Sequence, residues 1–266
     1  MDFRQYGTAG PFHTLSCIPG TELDTVRAFY HEHPGTLDVE TEVLDVGPGR
    51  VLLAQSPFYP GGGGQLADRG VVRWNGGEAI VAGFEAVGGK LWHLLADAAA
   101  EPSGTVQGLV DPAFRRMMCE LHTATHILNA LVFQSFNGAL VTGVQMNEDG
   151  TARMDFDLPE ADNERLRALE EPIHEVMRQN LAVRDDYVPV DVAHDQPGLI
   201  RSKSVAPPPT WDGKIRIVEI LGLDRQACGG THLGSTGMSR ALRILKIDNK
   251  GRHNRRIRIG LEGTSP

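Results

Sequence analysis

The spacing of apolar positions changes character along this chain, and the changes mark its organisation. Up to residue 26 no period holds, because Gly7, Gly10, Pro11, Pro19 and Gly20 interrupt every run. That stretch, 1–26, reads as an irregular extension. From residue 27 short alternating runs recur between glycine-rich turns. They predict strands at 27–30, 37–46, 50–54, 71–74, 79–86 and 90–95, with turns at Gly47-Pro48-Gly49, Asn75-Gly76-Gly77 and Gly88-Gly89. This is the rhythm of a small β-barrel. A loop over 98–104 reads as a boundary, with 105–110 a last strand after it, giving a barrel domain at 27–104 and a second domain at 105–266.

Then the period lengthens to that of a helix. Asp111 caps it and Pro112 occupies its first turn, where no N–H is needed. Met117, Leu121, Ala124, Leu128 and Val132 form one stripe to about residue 136, while Cys119, His122 and His126 share another face at i, i+3 and i+7. Strands at 138–144 and 153–156 around the turn 147–150 come next. A second helix is expected over 160–179, with Pro172 forcing a bend or restart and His174 at the surface. Beyond it lie a strand at 182–189, a short turn or helix at 191–199, and a stiff loop around Pro207-Pro208-Pro209. A buried strand at 215–221 delivers the chain to Cys228, and a hairpin of 240–247 with 255–261 ends it. The fold class predicted is α+β.

Two histidines four apart on a helix project the same way and can close on one metal ion. About a hundred residues later, Cys228-Gly229-Gly230-Thr231-His232 offers a thiolate and a further imidazole across small residues. His122, His126, Cys228 and His232 together are a donor set that zinc favours. Cys119 is a further candidate from its place on the helix, though a cysteine inside an apolar helix is usually packing.

Composition narrows the partners. The chain has 266 residues, 41% hydrophobic and 23% charged, as expected of a soluble globular protein, and its net charge of −8 confines any nucleic-acid contact to a local patch. Eight Lys or Arg against one Asp between 240 and 258 supply that patch, and Lys250, Arg252, Arg255 and Arg256 are its candidate phosphate contacts. Three widely spaced cysteines do not form the even set of a secreted disulfide scaffold. With no apolar run near the ~18 residues of a membrane span and no export signal, a cytoplasmic protein is expected, with no membrane contact and no protein partner indicated.

The motifs His122-Thr-Ala-Thr-His126 and Cys228-Gly-Gly-Thr-His232, with Phe58-Tyr59-Pro60-Gly61-Gly62-Gly63-Gly64-Gln65 and Asp68-Arg69-Gly70, resemble the alanyl-tRNA editing proteins. Asp111-Pro112, Arg116 and 251–257 fall where that family has similar text. These are free-standing relatives of the alanyl-tRNA synthetase editing domain, and the two-domain form with a barrel first is the most similar. The resemblance implies a translation-protein-like β-barrel followed by an α+β editing domain of the threonyl/alanyl-tRNA synthetase additional-domain type.

It also implies a Zn2+-dependent hydrolase acting in trans on the acceptor end of mischarged tRNA(Ala), chiefly the seryl ester and also the glycyl one. A water activated by the metal would attack, and no side chain is assigned as catalytic. Thr142 matches by position the family threonine that meets the serine hydroxyl, with Gln145 a second candidate. Gly62, Gly63, Gly64 and Gln65 would meet ribose or phosphate, and Gly61 stands where the family carries an acidic residue. Two alternatives stay open: an RNA-binding module with a structural zinc, and a hydrolase of a different aminoacyl ester.

Overall fold

The structure, a computed structural model, describes residues 27–159, 162–196, 198–199, 207, 209–210, 212–251 and 253–263. The extension at 1–26, Arg252, and Pro208 and Trp211 of the proline-rich loop lie outside the described residues. The first element is a helical turn, α1 (Phe29–Glu32), where the sequence predicts a strand. Its aromatic residues have strand propensity, but no strand among the described residues pairs with them. Local bonds close instead, His31 N to Ala28 O (2.9 Å) and His33 N to Phe29 O (2.8 Å), and Tyr30 packs edge-on against Tyr59 with centroids 5.4 Å apart.

Six strands then close a barrel: β1 (Asp38–Gly47), β2 (Arg50–Leu53), β3 (Gly70–Trp74), β4 (Gly77–Val87), β5 (Lys90–Leu95) and β6 (Thr105–Val110), in the order β1-β2-β5-β4-β3-β6. Val51, Phe58, Val72, Val81, Val106 and Val110 fill it. β6, which sequence reading assigns to the second domain, is the closing strand, pairing Asp38 with Leu109 on one side and Gly70 with Val110 on the other. A barrel abolishes its edges only by such closure.

The long helix α2 (Pro112–Ser135) leaves the barrel directly, with Asp111 accepting from the N–H groups of Ala113 and Phe114. It is buried on nearly every side because it touches two sheets. One runs β12-β13-β8-β7, from β7 (Val141–Met146), β8 (Thr151–Asp157), β12 (Leu242–Lys250) and β13 (Asn254–Leu261); the other runs β11-β10-β9, from β9 (Val183–Pro189), β10 (Lys214–Ile220) and β11 (Asp224–Ala227). Leu121, Ala124, Leu128 and Val132 meet Met154, Phe156, Ile257 and Ile259 in the main core.

The helical region predicted at 160–179 is two helices, α3 (Asn163–Arg167) and α4 (Glu170–Arg178). The restart puts Pro172 in a first turn, where its missing N–H costs nothing. His174 is half-buried rather than exposed, since its Nε2 reaches Leu242 O at 2.6 Å. A short helix, α5 (Val190–Asp195), follows β9. β10 does not lead to Cys228; a turn and β11 intervene, so the ligand turn begins where β11 ends. Among the described residues no helix is long and apolar enough to cross a membrane.

The barrel is joined to α2 by a buried ion pair. Arg115 Nε donates to both oxygens of Asp68 (2.9 and 3.0 Å) and its Nη2 to Pro57 O (2.8 Å), while Asp68 accepts from Tyr59 N (2.6 Å). The glycine loop that follows Tyr59 is thereby fixed over the helix.

Candidate metal centre and its cavity

His122 and His126 lie one turn apart on α2, and the turn after β11 brings Cys228 and His232 to face them. The four donor atoms lie within 4.8 Å of one another. Cys228 Sγ is 3.5 Å from His122 Nε2 and 3.3 Å from His232 Nε2. Each imidazole is held by its other nitrogen: His122 Nδ1 is 2.7 Å from Gln65 Oε1, His126 Nδ1 is 3.1 Å from Asp224 Oδ2, and His232 Nδ1 is 3.3 Å from Thr123 Oγ1. Acceptors behind Nδ1 keep the proton there and leave the Nε2 lone pair facing the common centre.

Gln65 is itself oriented, because its Nε2 donates to Thr231 Oγ1 (2.8 Å) and its Oε1 also accepts from Thr231 N (2.9 Å). Nothing larger than glycine fits beside it, since a Cβ at Gly230 would lie 2.0 Å from His122 Cε1.

Charge follows the same plan. Burial alone would raise the Cys228 thiol, but the three imidazoles, His122 foremost, hold it well below the ordinary thiol range. Burial and then His122 hold His232 well below the usual imidazole value. Burial pulls His126 down as well, yet the facing Cys228 thiolate and Asp224 outweigh it and raise His126 to about 9. A thiolate and a neutral imidazole are the states that bind a cation, so a cation held here would displace the proton on His126. The residues present therefore fit a borderline-soft divalent ion. Gln65→Ala should lower metal affinity by about 10- to 100-fold by freeing the His122 ring, which a competition titration with a chelating dye measures; unchanged affinity would show that the ring is held without Gln65.

The centre sits in the wall of a cavity of about 550 Å³. Tyr30, Tyr59, Gly61–Gly64, Thr142 and Val144 of β7 line it together with His122, His126 and Cys228–Gly230. Thr142 is the residue skipped where β7 pairs with β8, between Val141↔Phe156 and Gly143↔Asp155. Such a bulge re-aims a side chain. Its hydroxyl makes no hydrogen bond among the described residues. Gly64, at φ +86°, lets the loop rest on β7, where a Cβ would lie 2.6 Å from Val144 O, and its carbonyl accepts from Met146 N at 2.8 Å.

The pattern of the threonyl and alanyl tRNA synthetase second additional domain matches residues 215–258. The alanyl-tRNA editing protein AlaX-M of Saccharolobus solfataricus is 32% identical over 225 residues, 83% of this chain and 92% of that protein. The chain belongs to the alanyl-tRNA editing family. The alanine–tRNA ligases of Pyrococcus furiosus (32% over 246 residues, 91% of this chain) and Caldivirga maquilingensis (30% over 235 residues, 85% of this chain) also match, and the chain spans 26% of the length of each.

Of the positions that likeness to the editing family marks, His122, His126, Cys228, Thr142 and Gly62–Gly64 line one cavity, and His232 joins the first three in a cluster that could hold a metal ion. Gln65 does not face it as a ribose or phosphate contact: at 3% exposure it spends both amide ends on His122 and Thr231. Gln145 is exposed and accepts from Arg153 Nε (3.0 Å), away from the cavity lining. Cys119 lies outside the ligand cluster, its Sγ 3.2 Å from Thr231 Oγ1 and its thiol pushed up by burial.

The basic hairpin is largely neutralised from elements far away in sequence. Arg256 is bidentate to Asp155 (2.6 and 2.8 Å), Arg240 pairs with Glu120 (2.7 Å) and Arg243 with Glu170 (3.0 Å), while Arg255 is buried. Lys250 remains exposed. Sequence reading missed Asp224, Thr123, Arg216 and His31. Asp224 lies two residues before a motif-adjacent glutamine and could have been suspected; His31, whose Nε2 reaches Gly229 O at 2.9 Å, gave no signal at all.

Proposed function

We propose that this editing-family chain is a zinc-dependent deacylase that clears mischarged tRNA(Ala) in trans, removing serine chiefly and glycine as well. The observation that carries it is the opening of a buried His-His-Cys-His cluster onto a cavity that Thr142 also lines, its hydroxyl without a hydrogen bond among the described residues. Zinc bound there supplies a Lewis acid and lowers the pKa of a water beside the ester carbonyl. His122, His126 and Cys228 would hold it, with His232 as fourth ligand or close neighbour.

The chain's own groups do the rest. Gln65, Asp224 and Thr123 orient the imidazoles, and Tyr59, whose hydroxyl donates to Gly62 O (2.9 Å), steadies the glycine loop against the bound ester. Burial keeps the Tyr59 phenol protonated by raising it far above its ordinary value. Thr142 would hydrogen-bond the serine hydroxyl, so an alanyl ester leaves that group unpaired and is spared. Lys250, which is exposed, is the hairpin cation assigned to the tRNA backbone, since Arg255 is buried and Arg256 is held by Asp155.

Hydrolysis of seryl-tRNA(Ala) by Thr142→Val tests this assignment. It should lose about tenfold or more in kcat/KM with metal content unchanged; equal rates would remove Thr142 from recognition. The convergence of four donors favours a second reading, a closed structural site in an RNA-binding module. Tight binding of tRNA without turnover by the metal-loaded protein would establish that reading instead.

A further inference from the structure

The backbone of the Cys228-Gly229-Gly230 turn is held from outside by two side chains. Arg216 Nη1 donates to Cys228 O (3.1 Å) and Gly230 O (2.9 Å), and Arg216 Nε is tied to Asp185 Oδ2 (3.0 Å). Gly229 O accepts from His31 Nε2 (2.9 Å). His31 is a neutral donor there, because burial and then the Arg216 charge bring its imidazole down to about 4.

Every peptide bond among the described residues is trans, so each N–H points opposite to the carbonyl of its own peptide unit. Cys228 O and Gly230 O both face one guanidinium nitrogen. The N–H groups of Gly229 and Thr231, which share those peptide units, therefore face the other way. Thr231 N finds Gln65 Oε1, the atom that also meets His122. Gly229 N, on the side away from Arg216, finds no acceptor among the described residues, while Gly230 N donates to Cys228 Sγ (3.4 Å). Gly229 lines the cavity.

We infer that the Gly229 N–H is an oxyanion-hole donor for the ester carbonyl, with Arg216 and His31 as positioning residues that aim it. The inference rests on the deacylase reading and adds a catalytic group to it. In the step concerned, a water oxygen bonds to the carbonyl carbon and the π pair moves onto the carbonyl oxygen, whose new charge the N–H meets. Collapse then breaks the bond to the ribose oxygen. One water proton ends on that oxygen and the other is released as the carboxylic acid ionises. A preorganised N–H serves this charge better than it serves the planar ester.

The test uses the full chain, assembled by joining a thioester of residues 1–227 to a synthetic peptide beginning at Cys228. Glycolic acid in place of Gly229 turns one amide into an ester, deleting that N–H and weakening Cys228 O as an acceptor for Arg216. Two probes are compared, an amide-linked seryl-adenosine analogue and its tetrahedral phosphonate counterpart.

Against the all-amide chain made the same way, the ester-bonded chain should lose on the order of 10²- to 10³-fold in kcat. It should bind the phosphonate about 10²-fold more weakly and the planar amide within about threefold, with metal content unchanged. Arg216→Lys, which cannot span both carbonyls and Asp185, should show the same split between probes, which a merely structural role would not produce. Unchanged kcat and phosphonate affinity in the ester-bonded chain would overturn the inference. Failure of the all-amide chain to cleave any aminoacyl ester would instead overturn the deacylase reading, and the inference with it.

Discussion

Cys228→Ala and His122→Ala should each abolish stoichiometric metal binding and lower hydrolysis of the aminoacyl ester on the order of 10³-fold. Three imidazole nitrogens and one thiol sulfur lie within 4.8 Å of one another, a set that could hold a cation. Removing either residue takes away a ligand at the centre of the set. Polarisation of a carbonyl and activation of a water are worth several kcal/mol, and about 1.4 kcal/mol is a decade in rate. Metal analysis beside single-turnover rates reads both effects. Full activity in a variant that has lost its metal would place the chemistry elsewhere in the cavity.

The largest effect on stability is expected from the joint between barrel and helix. The Arg115 and Asp68 side chains are 4% and 0% exposed, so their pair is shielded from solvent and salt. Arg115→Ala leaves a carboxylate inside the protein with Tyr59 N as its remaining described donor, a loss of about 3–5 kcal/mol and on the order of 10 °C in Tm. Because the same carboxylate fixes the loop leading to Gln65, metal affinity should fall alongside. Replacing both partners, as Asp68→Leu with Arg115→Met, should recover much of the stability, since no charge is then stranded. Thermal denaturation of the single and double variants decides it; a single variant as stable as the parent would show that the pair contributes nothing to the fold.

Much of the site was legible because its donors sit in two short motifs. His122 and His126 are four apart on a helix whose start Asp111 and Pro112 announce, and Cys228 and His232 flank a turn that only small residues can make. The turn-forming glycines also marked most of the barrel strands. What could not be read depends on partners distant in sequence. Thr105–Val110 reads as a last strand, but that it closes the barrel by pairing with both β1 and β3 shows only in the fold.

The cations of the terminal hairpin look free until Asp155, Glu120 and Glu170 arrive from other elements. Gln65 looks available for ligand because neither His122 nor Thr231 is near it in the chain. The aromatic residues of α1 resemble a strand because propensity reports side-chain type, whereas a strand also needs a neighbour.

The measurement closest to the central claim is the deacylation rate of seryl-, glycyl- and alanyl-tRNA(Ala) by the zinc-loaded chain, repeated after the metal is stripped and after it is restored. Fast loss of serine, slower loss of glycine and sparing of alanine, all dependent on the metal, is the predicted result. Zinc bound at one equivalent and released only on unfolding, with no ester cleaved, would contradict it.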